Sequence, residues 1–181
     1  MNNIIQKYRN LALEAGYAPN SKASLDWFRQ RVRKDRPITQ LNRITEDRKN
    51  ARIRQGEMIT YKYIPMMEKK LQYYDTNPLI VILETYVDGW LGVNVHYLPP
   101  QFRAKLFYEL HYSKRSMPVI AEQLKSHPIS KPAIKRYKAE KVMTKPKAIP
   151  KAEWEIAIQL PYENFKKASL KKVWQDSRKK I

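Results

Sequence analysis

The sequence predicts an α+β fold: a small, strongly twisted antiparallel sheet or SH3-like barrel of four to five strands, with flanking basic helices. Three observations predict it. The stretch "LIVILETYVDGWLGVNVHYLPP", from Leu79 to Pro100, is strongly apolar in a chain of net charge +19. It reads as two strands around Asp88-Gly89, the best hairpin signal in the chain. The charge around it is uneven: residues 22–55 hold eleven Lys/Arg against four Asp/Glu, residues 71–112 two against four, and residues 113–181 eighteen against six. A near-neutral centre between basic arms predicts a folded core that sets geometry and flanks that meet a polyanion.

Each element has its own reason. Ile4, Ile5, Tyr8, Leu11 and Leu13 have approximate helical spacing over 4–15, with Gly16 as the stop. Ser24 is a candidate N-cap for a second helix. Leu25, Phe28 and Val32 form its apolar face, Arg29, Arg33 and Arg36 lie on another face, and Pro37 ends it. "TQLNRITEDRKNARIRQG" is a further basic helix-like stretch stopped by Gly56. "EMITYKYIP" changes to period two and reads as a strand. "MMEKKLQYYDTN" is a loop or wide turn. Leu79–Val87 is a second strand, buried on both faces at its start. Trp90–Leu98 is a third, with Leu91, Val93, Val95 and Tyr97 alternating against Gly92, Asn94 and His96. Pro99-Pro100 ends the sheet, and Pro100 opens a helix over "QFRAKLFYELHY". Two short helices are expected near 117–126 and 131–140. "KVMTKPKAIP" looks extended, "EWEIAIQLP" alternates like a strand, and the tail is a basic helix with a Leu170, Val173, Trp174 stripe. No internal repeat is present. This divides the chain into a basic helical extension, 1–55, and a barrel-like core with inserted helices and a basic C-terminal helix, 56–181.

Composition narrows the function. Hydrophobic residues make up 43%, and twelve tyrosines and four tryptophans argue against a wholly disordered chain. The absence of cysteine excludes disulfides, thiolate zinc sites and thiol catalysis. No run approaches the ~18 apolar residues of a membrane span. The first residues are too polar for a secretory signal, so a reducing cytosol is the expected compartment.

Chemistry is sparse. His96 is the obvious general base, with Asp75, Glu84 and Asp88 as partners that no spacing ties to it. The plainer reading is a histidine held by a hydrogen bond at a strand end. Three scattered histidines do not make a metal site, and four glycines leave little room for a phosphate-binding loop. Glu140 beside Lys141 faintly resembles a nuclease triplet but lacks a supporting acidic strand. No catalytic residue, cofactor or metal is expected.

The basic flanks carry more. "WFRQRVRK" and "FKKASLKKVWQDSRKK" set aromatics beside cations that can track a phosphate backbone. The candidate nucleic-acid contacts are Arg29, Arg31, Arg33, Lys34, Lys135, Arg136, Lys166, Lys167, Lys171, Lys172, Trp174 and Arg178. For Trp27, Phe28 and Trp174 the competing role is as helix anchors; for the lysines it is a solvated face. No base-reading motif is present, so binding is expected to be independent of sequence.

A resemblance spans residues 56–181. Its marks are Gly56 and Met58, then Tyr73-Tyr74-Asp75 with Pro78-Leu79, then Asp88, Gly89, Gly92, Asn94, His96, Tyr97, Leu98 and Pro99. Glu153-Trp154 and Trp174, Asp176, Ser177 and Arg178 close the pattern. These segments resemble small virion proteins of T-even-like tailed phages, the DNA end protector or head-completion proteins. Ile59 departs from the pattern, which has an aromatic there. The resemblance implies a virion component, present in the host cytoplasm during assembly, that binds double-stranded DNA ends and shields them from exonuclease. It implies phage head or neck proteins near the portal as further partners, no membrane, and Asp75, Asp88, Gly89, Asn94 and His96 as structural anchors. The alternative is an adaptor of the phage neck, tail or baseplate that contacts other virion proteins. A nuclease is the weakest of the three.

Overall fold

The computed structural model describes residues 10–18, 23, 27, 30–31, 53–111, 115–151, 154–160 and 162–181. Most of the helices expected at 4–15, 24–36 and 39–56 lies outside these residues. Residues 10–14 are helical, Gly16 ends that turn with φ 79°, and Trp27, Gln30 and Arg31 are helical.

The core is an antiparallel five-stranded sheet in the order β5-β4-β3-β1-β6. β1 is Met58–Thr60, β3 Leu79–Tyr86, β4 Gly89–Asn94, β5 Ile134–Lys138 and β6 Lys147–Ile149. β2 (Tyr74–Asp75) pairs separately with β7 (Phe165–Lys166). The sheet is open: β5 and β6 are its two edges and do not pair with each other, so it is not a closed barrel.

The register separates two apolar faces. Met58, Val81, Val93 and Ile149 share one face and pack under three helices: α1 (Pro100–His111), α2 (Met117–Ser126) and α3 (Trp154–Ala157). Val173 of the C-terminal helix α4 (Leu170–Arg178) joins the same cluster. Ile59, Ile80, Ile82 and Trp90 lie on the other face with Tyr61, Tyr63 and Tyr137. There the rings meet edge to face, Tyr61 with Trp90 at 5.4 Å and Tyr63 with Tyr137 at 5.0 Å. The Trp90 indole donates to the Tyr61 hydroxyl at 2.9 Å, which satisfies a buried polar atom of each ring.

Four further expectations are corrected. The third strand ends at Asn94, whose side-chain oxygen accepts from the His96 amide and turns Val95–Tyr97 into a 3-10 helix. The chain near 131–140 is not a helix. Pro128–Ala133 is a 3-10 turn containing Pro132, and the chain then extends as β5 along the open side of β4. Residues 154–160 begin as a helix rather than a strand. Trp154, Ala157 and Ile158 are buried at i, i+3 and i+4, and apolar residues in that window fit both periods. The strand expected over 57–65 is shorter, reduced to β1 and a bridge from Tyr63 to Val142.

The Asp-Gly hairpin forms as expected, with Tyr86 opposite Gly89. Gly89 has φ 146°, and a Cβ there would lie 2.0 Å from the Tyr137 carbonyl oxygen. Gly89→Ala is therefore expected to lower the urea unfolding free energy by at least ~2 kcal/mol, by forcing β4 and β5 apart. An unchanged midpoint would show that the turn relaxes without cost.

Candidate nucleic-acid interface

A buried polar hub places the C-terminal helix. Asp75, 3% exposed, ends β2. One carboxylate oxygen accepts from the amides of Asn77 (3.0 Å) and Asn164 (3.2 Å). The other accepts from the Asn94 side chain (3.2 Å) and meets Nδ1 of fully buried His96 at 2.6 Å. Burial raises the Asp75 pKa, but the charge and hydrogen bond of His96, with the donors of Asn77 and Asn94, outweigh it and hold the carboxyl below its usual range. His96 Nε2 has no partner among the described residues.

The His96 carbonyl carries the link outward. It accepts from Arg103 at 3.1 Å and from the Trp174 indole at 3.0 Å. Arg103, 1% exposed, also donates to the carbonyls of Leu98 (2.7 Å) and Ile158 (3.1 Å) and pairs with Glu163 at 2.7 Å. Its guanidinium lies 5.5 Å from the centre of the Trp174 ring. Trp174 is thereby an anchor of α4, its N–H committed inward. Sequence carried no signal for Arg103 or Glu163, because each matters through partners far along the chain.

α4 presents two different faces. Ser169 caps it by accepting from the Lys172 amide at 3.3 Å. Leu170, Val173, Trp174 and Ser177 face inward, while Lys171, Lys172 and Arg178 are exposed. Lys172 pairs with Asp176 at 2.6 Å. Lys171, Arg178 and Lys166 of β7 form no salt bridge among the described residues, and Lys180 beyond the helix joins them.

The remaining cations are distributed unevenly. Lys167, at φ 66°, turns its ammonium onto the carbonyls of Glu68, Lys69 and Leu71 and so caps that turn. Arg136 and Lys138 both bind Asp88, tying β5 to the hairpin, and Arg136 stacks 4.1 Å from the Tyr86 ring. These contacts, led by the Lys138 hydrogen bond, lower the Asp88 pKa. Lys135 sits half-buried with its ammonium 4.5 Å from the centre of the Tyr97 ring. Arg31 is partly exposed and has partners, whereas Arg29, Arg33 and Lys34 lie outside the described residues. The structure thus sets Lys135 against the Tyr97 ring, leaves Lys166, Lys171 and Arg178 exposed, and separates Arg136 and Lys167 into structural pairings.

The Asp75–His96 pair has the geometry of a base and its orienting carboxylate, but both side chains are sealed from solvent. Among the described residues no three His, Asp or Glu side chains group to hold a metal, and no helix is long and apolar enough to cross a membrane.

A basic α+β scaffold with exposed cations along its C-terminal helix has the electrostatic footprint of polyanion-binding proteins. A family model described as the phage T4 terminal DNA protecting protein matches residues 1–177, and the chain belongs to that family. The expectation of a phage protein of DNA-end protection is met at that level. No curated protein and no solved structure matches the chain.

The hub predicts acid sensitivity. The folded Asp75 pKa is depressed, so its contribution is complete above the unfolded value near ~3.9 and is lost as pH falls through the folded value. Asp75→Asn is expected to cost ~3–5 kcal/mol at neutral pH and to flatten the loss of stability below about pH 4, both measured by urea titration. Equal acid sensitivity in wild type and variant would place the titrating group elsewhere.

Proposed function

We propose that this protein binds the ends of double-stranded DNA without regard to sequence and protects them from exonuclease by occlusion. The observation that carries this reading is the outward face of α4, where Lys171 and Arg178 are exposed and form no salt bridge among the described residues, on a helix fixed to the core through Trp174. Such cations suit phosphates, because neutralising a backbone releases condensed counterions. Membership of the terminal DNA protecting family supports the end as the target. Occlusion requires no catalytic group, and the sealed Asp75–His96 pair serves as a strut in this reading. The described cations extend this surface to Lys135 and Lys166, with Lys172 shared between Asp176 and DNA. The N-terminal cations Arg29, Arg31, Arg33 and Lys34 would add further phosphate contacts in this reading.

A second reading has support of its own. Ile64, Met66, Met67 and Met143 are exposed, and the Ile64 and Met143 amides donate to the carbonyls of Lys141 and Lys62, which ties the two segments together. An apolar cluster rimmed by lysines suits attachment to other virion proteins of the head or neck. Virion and assembling host cytoplasm are the places for both roles.

The test is a processive exonuclease challenge on linear duplex, with closed-circular duplex as the binding competitor. Linear DNA is expected to survive, with weaker binding to circles and affinity falling steeply with salt. Reversing the charges of Lys171 and Arg178 together is expected to weaken end binding about tenfold or more. Lys167→Ala is expected to act on stability through the 67–71 turn and to leave the salt dependence intact. Equal binding to circles with no protection would sink the end-protecting reading, and salt-insensitive assembly onto a virion protein would favour the adaptor.

A further inference from the structure

We infer that Lys135, seated on the ring of Tyr97, forms a subsite for a single phosphate group of bound DNA. The inference deepens the DNA-end reading and rests on it for the source of that phosphate.

Lys135 stands opposite Gly92 in the β4–β5 ladder, so no side chain crowds it from the neighbouring strand. Its ammonium rests 4.5 Å from the centre of the Tyr97 ring, which Phe165 and Tyr73 hold at 5.0 and 6.0 Å. The strand neighbours Arg136 and Lys138 share the Asp88 carboxylate. Lys135 has no such carboxylate among the described residues. Asp75 lies beyond Tyr97 and is engaged by His96, and Tyr97 stays neutral because burial raises its pKa. The charge that does act on Lys135 is that of Lys180, of the same sign.

This placement works against the folded chain. Burial, and then Lys180, push the Lys135 pKa down to about 8. A half-buried cation facing another cation is disfavoured until an anion arrives, and groups held at such a cost mark binding sites. A lysine ammonium held on an aromatic floor, with a second lysine's charge acting on it, suits the spread charge of a phosphate. The sign of the linkage is definite. A bound phosphate favours charged Lys135, so binding takes up protons above pH ~8 and weakens as pH rises through that value.

The experiment uses the full chain, Lys135→Met and Lys135→Arg. Thermal unfolding is followed with inorganic phosphate against chloride at equal ionic strength. Binding is followed on blunt duplexes ending in a 5′-phosphate or a 5′-hydroxyl. Phosphate is expected to raise the wild-type Tm. Lys135→Met should melt at least ~2 °C higher than wild type in chloride, yet gain nothing from phosphate. On DNA it should bind several-fold more weakly, with a log–log salt slope shallower by ~1. Lys135→Arg should retain binding but lose its decline above pH ~8. A 5′-phosphate preference that disappears in Lys135→Met makes the phosphate terminal; weaker binding without a preference makes it an internal one. Equal phosphate shifts and salt slopes in wild type and Lys135→Met would overturn the subsite. The inorganic-phosphate arm is independent of DNA ends, so a protein that keeps the Lys135-dependent shift but fails to protect linear DNA loses the end reading alone.

Discussion

The Asp75 carboxylate is the constraint on which the architecture turns. It joins the end of β2, the loop before β7, the end of β4 and the 3-10 turn through four contacts. In the low dielectric of the interior such bonds are strong, and an unmet partner would be costly. Two-residue strands like β2 and β7 have too few ladder bonds to be stable alone. Asp75 supplies what they lack, and from His96 the chain of bonds continues through one carbonyl to Arg103 and Trp174. The position of the basic C-terminal helix therefore depends on a carboxylate about a hundred residues earlier in the chain.

That arrangement divides the cations by task. Arg103, Arg136, Lys138 and Lys167 spend their donors on carbonyls or carboxylates of the fold. Lys171, Arg178 and Lys166 point into solvent from positions the fold has fixed. A net charge of +19 describes both groups at once and so overstates the surface offered to a polyanion. The difference lies in where acidic residues and exposed carbonyls fall in space.

Much of the fold was legible where the signal was local. The apolar run of β3, the Asp-Gly turn, Pro100 at a helix start and the stripe on α4 each declare their structure within a few residues. What could not be read depends on distant partners. β5 is a strand because β4 offers it an open edge some forty residues earlier. Trp154 begins a helix because its indole reaches the Ile149 carbonyl while Ala157 and Ile158 turn inward with it. His96 was visible as a candidate, but its partner stands 21 residues away, across a pairing that only the folded chain creates. Lys180 sat in an evident basic run, yet nothing in the run pointed to Lys135. Of the two roles open to Trp174, the folded chain favours the anchor, with its indole N–H and one face engaged.

The outer strand β5 has a consequence for how the molecule behaves at high concentration. An edge strand presents unpaired amides and carbonyls to any extended chain nearby. Here that edge carries Lys135, Arg136 and Lys138 in five residues and follows directly on a proline-bearing turn. Repulsion between like-charged edges keeps two copies from zipping together. The same side chains thus guard against aggregation, and solubility and ligand binding are bound to change together whenever this strand is altered.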